Sequence, residues 1–179
     1  MAAKAKKRPR NASAYTADVP NIRTQDLRDE DGYRRAKLAE GAGAEHLGLT
    51  VYELPPGAGM HFHYHLQREE LLVVLEGTLA VRTAGGWEDV QEGEVRAFPR
   101  GERGVHGYEN RTEGSVRLLM FSEQNAPNVS VYPDASQVGI YDVAPPNERR
   151  FGALFNIDDA VSGYAGGEPK HRAGQARDR

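Results

Sequence analysis

Residues 57–77 read GAGMHFHYHLQREELLVVLEG, and two kinds of strand meet in them. His61, His63 and His65 recur at every second position, the period that puts side chains on one face of a β-strand. Neighbours on such a face lie about 6.5–7 Å apart at Cα. Two imidazoles at that separation can converge on one ion with metal–nitrogen bonds of about 2.0–2.1 Å. Phe62 and Tyr64 then point the other way and pack. Glu69 and Glu70 follow, at the mouth of Leu71-Leu72-Val73-Val74-Leu75. An acid there is either a solvated strand end or a ligand looking inward. The aliphatic run is apolar on both faces, so it needs cover outside as well as within. That cover is expected from the C-terminal segment or from a partner subunit.

Working outward, short apolar runs alternate with turn residues. Leu47, Leu49 and Val51 alternate with Gly48, Thr50 and Tyr52 until Pro55-Pro56-Gly57. Downstream, strands are predicted at Leu79–Thr83, Trp87–Val90, Val95–Phe98, Val105–Asn110 and Val116–Phe121, with Val129–Tyr132 and Val138–Tyr141 as edge strands. With 20 glycines and 10 prolines punctuating runs this short, the fold class is all-β, a sandwich or barrel. His106 is the one further histidine in the later strands, and it shares a face with Tyr108 and Asn110. No internal repeat is present, so one barrel is expected and not two. Residues 19–44 predict irregular structure or a short strand, and 147–164 one or two helical turns.

Composition narrows the function classes. The net charge of −3 points neither to nucleic acid nor to an anionic membrane. Lys4, Lys6, Lys7, Arg8 and Arg10 make a basic arm, and residues 1–18 read as disordered and solvated. The absence of cysteine excludes disulfides, thiolate catalysis and sulfur-ligated metal. No apolar run approaches a membrane span, and the basic start lacks the apolar stretch of a signal peptide, so a cytoplasmic protein is expected. The segment before Leu47 is too polar and glycine-broken for a helix-turn-helix.

At this point the residues resemble a known family. Gly57-x5-His63-x-His65-x4-Glu70-x6-Gly77 is similar to the first cupin motif at full length, and Gly93-x5-Pro99-x-Gly101 with His106-x3-Asn110 resembles the second. The resemblance covers about residues 47–122. It implies a single cupin jelly-roll barrel over 19–145, between the basic arm and a C-terminal extension, 146–179, disordered after about 165. It also implies a metal held by His63, His65, Glu70 and His106, with Glu70 preferred over Glu69. The chain departs from the pattern in one place: four residues, Glu102 to Val105, separate Gly101 from His106 where two are usual. Phe98-Pro99-Arg100-Gly101, Leu119-Met120-Phe121-Ser122 and Val131-Tyr132-Pro133-Asp134 are similar to a bacterial cupin branch of no settled activity.

Three neutral imidazoles and one carboxylate form a sulfur-free site suited to divalent Mn, Fe, Co, Ni or Zn. Six-coordination would leave two positions for waters, a bidentate enediol or hydroxy-acid, or substrate beside dioxygen. Around it stand Gln67, Tyr64, Tyr108, Glu69 and Arg96. Strict alternation leaves His61 on the ligand face, as an alternative ligand, a proton shuttle or a rim residue. The enlarged loop before His106 is either a solvated turn or a rim on which Arg100 or Arg103 clamps an acidic substrate. Two functions are compatible with these residues. One is a small-molecule metalloenzyme, either dioxygenase-like or acting as a sugar or hydroxy-acid isomerase. The other is a non-catalytic module that binds a small ligand or metal. Small cupins often dimerise, so a homodimer is expected.

Overall fold

The structure, a computed structural model, describes residues 22, 27–30, 32–39, 41–144 and 148–160. The expected basic arm 1–18 and the tail beyond 165 lie outside the described residues.

Thirteen strands run along the described chain. They are β1 (Arg28–Glu30), β2 (Tyr33–Lys37), β3 (Leu47–Leu54), β4 (Gly59–His65), β5 (Glu70–Glu76), β6 (Thr78–Thr83) and β7 (Gly86–Gln91). There follow β8 (Val95–Phe98), β9 (His106–Glu109), β10 (Val116–Glu123), β11 (Asn128–Tyr132), β12 (Gln137–Ala144) and β13 (Glu148–Asn156). They form two antiparallel sheets, ordered β1-β2-β3-β10-β5-β8 and β13-β12-β11-β4-β9-β6-β7. Chain neighbours β3 and β4, or β5 and β6, lie in different sheets, which is the jelly-roll path. The all-β expectation holds, with one refinement: the sheets face each other without closing into a hydrogen-bonded barrel. Where edge strands β7 and β8 meet, side chains join the sheets, Arg96 Nε donating to Glu88 Oε1 at 3.1 Å.

Register explains the core. Leu72 and Val74 of β5 stand opposite Met120 and Leu118 of β10, and all four point between the sheets. There they meet Leu79 and Val81 of β6 and Val90 of β7, all fully buried. Full burial of such a side chain contributes roughly 1.5–3 kcal/mol, so this layer supplies the bulk of the drive to fold.

The aliphatic run of β5 is covered on its outer side too, and among the described residues the cover does not come from the C-terminal segment. Val73 and Leu75 pack on a second cluster, Leu38, Val51 and Leu119, together with Ile22, Leu27, Ala36 and Leu49. The N-terminal lead-in is therefore the cover, because β2 joins β3 and carries that segment onto the outer face of the same sheet. The expected helical turns in 147–164 are replaced by β13, which pairs along β12 from Gln137↔Asn156 to Ala144↔Glu148. The open edge of β12 supplies backbone partners, and those outweigh a weak local helical pattern. In the lead-in, β1 and β2 form a hairpin with Glu30 opposite Tyr33.

Candidate metal centre

β4 brings in His63 and His65 near its end, β5 opens with Glu70, and β9 opens with His106. Pairing of His63 with His106 puts these two imidazoles side by side. Glu70 lies across from them in the other sheet, beside Phe98. The Phe98 ring stacks on His106 at 3.8 Å between centroids, and Tyr132 stacks on His63 at 5.8 Å. All four polar side chains are about nine-tenths buried or more.

The polar atoms converge. His65 Nε2 is 3.2 Å from Glu70 Oε2 and 3.2 Å from His63 Nε2, and His106 Nε2 is 3.3 Å from Glu70 Oε2. Ligand atoms of His63, Glu70 and His106 all lie within 4.8 Å of one another, so this cluster could hold a metal ion.

The other ring nitrogens decide what those atoms can do. His63 Nδ1–H donates to the His61 carbonyl at 2.7 Å, and His106 Nδ1–H to the Gly104 carbonyl at 2.9 Å. A carbonyl only accepts, so each neutral ring carries its proton on Nδ1 and presents a lone pair at Nε2. His65 Nδ1 lies 3.0 Å from Ser130 Oγ, a hydroxyl that can pair with that ring in either tautomer. The lone pair of His106 Nε2 thus faces Glu70 Oε2 at 3.3 Å, and that of His63 lies within 4.8 Å of both residues' ligand atoms. The buried Nε2 of His106 has no hydrogen-bond partner. Such a donor set could hold a cation, and its nitrogen and oxygen atoms fit a divalent transition metal.

Electrostatics agree. Burial and the neighbouring imidazoles of His106 and His65 push His63 down to about 4, so it is neutral at ordinary pH. Burial alone would raise the Glu70 carboxyl. The imidazoles of His106 and His65 beside it outweigh that and hold it well below the usual range, as an anion.

Of the residues singled out around the site, several are turned elsewhere. Met60 pairs with Tyr108 and His63 with His106, so two residues of β4, His61 and Phe62, stand against the single Gly107. This β-bulge breaks the alternation. Met60, not His61, packs inward ahead of His63. His61 is exposed, and its backbone carbonyl is what reaches the site. Strict parity, which placed His61 on the ligand face, fails here. Tyr64 lies opposite Val131 and is half-buried, Glu69 is exposed, and the Gln67 carboxamide accepts from the Val129 N–H at 3.3 Å. Tyr108 belongs to the core, where burial raises its hydroxyl well above the ordinary value and keeps it protonated.

The three arginines separate by partner. Arg96 is committed to Glu88 and lies 3.7 Å from Glu94. Arg100 grips Glu123 through two nitrogens, Nε at 2.8 Å, and Glu123 also accepts from the Glu69 N–H. Arg103 is exposed and has no hydrogen bond or ion pair among the described residues. The two extra loop residues belong to a 3-10 turn, Glu102–Gly104, closed by Gly104 N–H to the Gly101 carbonyl at 3.0 Å. That turn delivers the carbonyl that orients His106. Gly101 N–H in turn donates to the His65 carbonyl at 2.8 Å.

Ser130 at the centre, and Arg68 in the segment that leads into Glu70, escape a reading of the sequence. Ser130 is 2% exposed and backs His65. Its signal was available, a small polar residue between Val129 and Val131 on the face shared with Tyr132. Arg68, two residues before Glu70, is half-buried, and no local pattern separates it from a solvated loop arginine.

A jelly roll with a histidine–glutamate cluster between its sheets defines a class, and the chain belongs to it: this is a member of the cupin family. Residues 50–122 match the cupin domain. Over 119 residues the chain is 31% identical to the tetracenomycin polyketide synthase protein TcmJ of Streptomyces glaucescens, across 65% of this chain and 78% of that protein. Among solved structures it is similar to a cupin-superfamily sugar phosphate isomerase from Silicibacter pomeroyi. There the TM-score is 0.65 and the identity 25%, over 73% of this chain and 80% of that one. A putative sugar phosphate isomerase from Acidithiobacillus ferrooxidans shares the fold with a TM-score of 0.64 at 18% identity, over 74% of this chain and 81% of that one.

Proposed function

We propose that this cupin is a metal-dependent enzyme of the isomerase type. It would act on a small hydroxylated carbonyl compound, with the metal held by His63, His65, Glu70 and His106. The observation that carries the reading is the convergence of three Nε2 atoms and Glu70 Oε2, with the outer nitrogens of the rings tied back to His61, Ser130 and Gly104. A divalent Mn, Fe, Co, Ni or Zn ion in such a set supplies a Lewis acid with positions left for adjacent substrate oxygens. The chain's own residues do the rest. Phe98 and Tyr132 wall the imidazoles from water, and Glu70 keeps its charge in a site of low dielectric. The likeness to a sugar phosphate isomerase favours rearrangement over oxygen chemistry.

The test begins with anaerobic purification and metal analysis, and then follows hydroxy-aldehydes and ketose phosphates by NMR. Near-stoichiometric metal and isomerisation without oxygen uptake are expected. Oxygen uptake with enediols, β-diketones or thiols would give the dioxygenase reading, and bound metal with no turnover the non-catalytic one. Metal that survives in a His63→Ala/His65→Ala double variant removes the site itself.

A further inference from the structure

Four buried side-chain atoms among the described residues have no hydrogen-bond partner: His106 Nε2, Arg68 Nε, Asn128 Oδ1 and Arg117 Nε. Buried polar groups left unpaired cost about 1–3 kcal/mol each, so they ask for an explanation. Arg117 lies apart, on the outer side of the first sheet, 4.0 Å from Glu53 and bonded to the Ile22 carbonyl. His106 belongs to the metal centre. The remaining two each stand two residues ahead of a residue of that centre: Arg68 ahead of Glu70, and Asn128 ahead of Ser130, which holds His65.

They also belong to facing segments. Leu66 N–H donates to the Val129 carbonyl at 3.0 Å, Val129 N–H to Gln67 Oε1 at 3.3 Å, and Asn125 Nδ2 to the Gln67 carbonyl at 2.8 Å. Arg68 Nη2 donates to the Asn125 carbonyl at 3.0 Å, which fixes the guanidinium and leaves its Nε–H spare. Asn128 is 8% exposed, and its Nδ2 donates to Ser130 Oγ at 3.1 Å, so its Oδ1 is a free buried acceptor.

The charges are unbalanced. Glu70 offsets only one of the two charges of a divalent ion, and Arg68 adds another. At this end Glu123 is taken by Arg100, and Glu69 is exposed, where water screens its charge. A guanidinium with a spare N–H beside a cationic centre is a receptor for an oxyanion, and a free amide oxygen nearby takes a hydroxyl.

We propose that Arg68 and Asn128 form the anion-recognition subsite of the metal centre, Arg68 taking the carboxylate or phosphate of a small substrate and Asn128 a hydroxyl of the same molecule. This rests on the metal-site reading above and names the substrate class for it. It also moves the clamp expected at Arg100 or Arg103 to Arg68.

The experiment titrates cobalt(II)-loaded full-length protein with glycolate and with inorganic phosphate, followed by visible absorption, with imidazole as the uncharged comparator. Arg68→Met is expected to weaken both anions about 10- to 100-fold, the range for a hydrogen bond to a charged group. Cobalt stoichiometry and imidazole binding stay as in the wild type. Arg68→Lys recovers part of the loss, and Arg103→Ala changes nothing. Asn128→Ala weakens glycolate, which carries a hydroxyl, more than phosphate. The tighter anion in the wild type distinguishes a carboxylate from a phosphate substrate. Should Arg68→Met melt early for want of its bond to Asn125, Arg68→Lys and Asn128→Ala give the same ordering. Unchanged anion affinity in the folded Arg68 variants overturns the proposal, as does cobalt-loaded wild type that binds neither anion. Failure of the wild type to bind cobalt strikes the metal reading first and removes the subsite with it, so the two failures are distinguishable.

Discussion

Ser130 is the single side chain among the three groups that fix the outer ring nitrogens; the other two are the backbone carbonyls of His61 and Gly104. Partners of this kind typically tune metal affinity 10- to 100-fold. Ser130→Ala is therefore expected to weaken zinc or cobalt binding by about that factor, measured by competition with a chelator, while Ser130→Thr keeps the hydroxyl and most of the affinity. His63 supplies a second expectation. Its folded pKa of about 4 lies below the ordinary 6.5, so the folded metal-free protein binds fewer protons than the unfolded chain between those values. Stability is then full above about pH 6.5 and falls as pH drops towards 4, by about 3 kcal/mol from this group. Glu70, also depressed, adds loss of the same sign at lower pH. Melting of the metal-free protein across pH 4–7 checks this, and His63→Gln should flatten the curve. His63 and His65 stood out in the sequence by their alternation on one strand, and Glu70 and His106 joined them through the resemblance to the two cupin motifs. Ser130 and Arg68 did not stand out, because their importance lies in partners some sixty residues away, Ser130 meeting His65 and Arg68 meeting Asn125.

At the scale of an element, the turn Glu102–Gly104 shows how a two-residue departure is put to use. A Cβ on Gly104 would lie 1.7 Å from the Pro99 carbonyl oxygen, so no side chain fits while the turn keeps its shape. Gly104→Ala must push the turn off Pro99 and move the carbonyl that orients His106. A cost of about 1–3 kcal/mol, the usual range for overpacking, is expected together with loss of metal affinity. A calorimetric melt and a metal titration on one sample measure both. A variant as stable and as tightly metallated as the wild type would show that the turn does not aim His106. Strand positions were legible almost throughout, since period-two alternation and Gly/Pro stops are strong local signals. The bulge at His61 and Phe62 was not, because a run of alternating residues looks the same whether or not its partner skips one. Strand β13 was missed for a related reason: its residues become a strand only against the open edge of β12.

For the whole molecule, the outer face of the first sheet poses the remaining question. Leu49, Phe121, Leu71 and Ala97 stand in one row across β3, β10, β5 and β8, and Val51, Leu119, Val73 and Val95 in the next. The N-terminal lead-in covers part of the second row, a detail beyond sequence reading because it needs the register of β2 on β3. Among the described residues the first row stays open at Phe121 and Leu71, and the second at Val95. Leu71 is 36% exposed, Phe121 40%, Val95 48% and nearby Leu47 65%. A contiguous apolar face of this kind on a water-facing sheet marks an interaction surface, where scattered single residues would not. A second copy of the chain is the expected occupant, since a two-fold dimer would lay each row on its own symmetry mate and cover both at once. Phe121→Glu leaves the core alone, as its side chain points outward, yet puts two charges at the centre of such an interface. The wild type is expected to scatter light as a dimer at tens of micromolar, and Phe121→Glu as a monomer with an unchanged circular dichroism spectrum. Wild type that remains monomeric at that concentration would refute the interface, as would Phe121→Glu that remains dimeric.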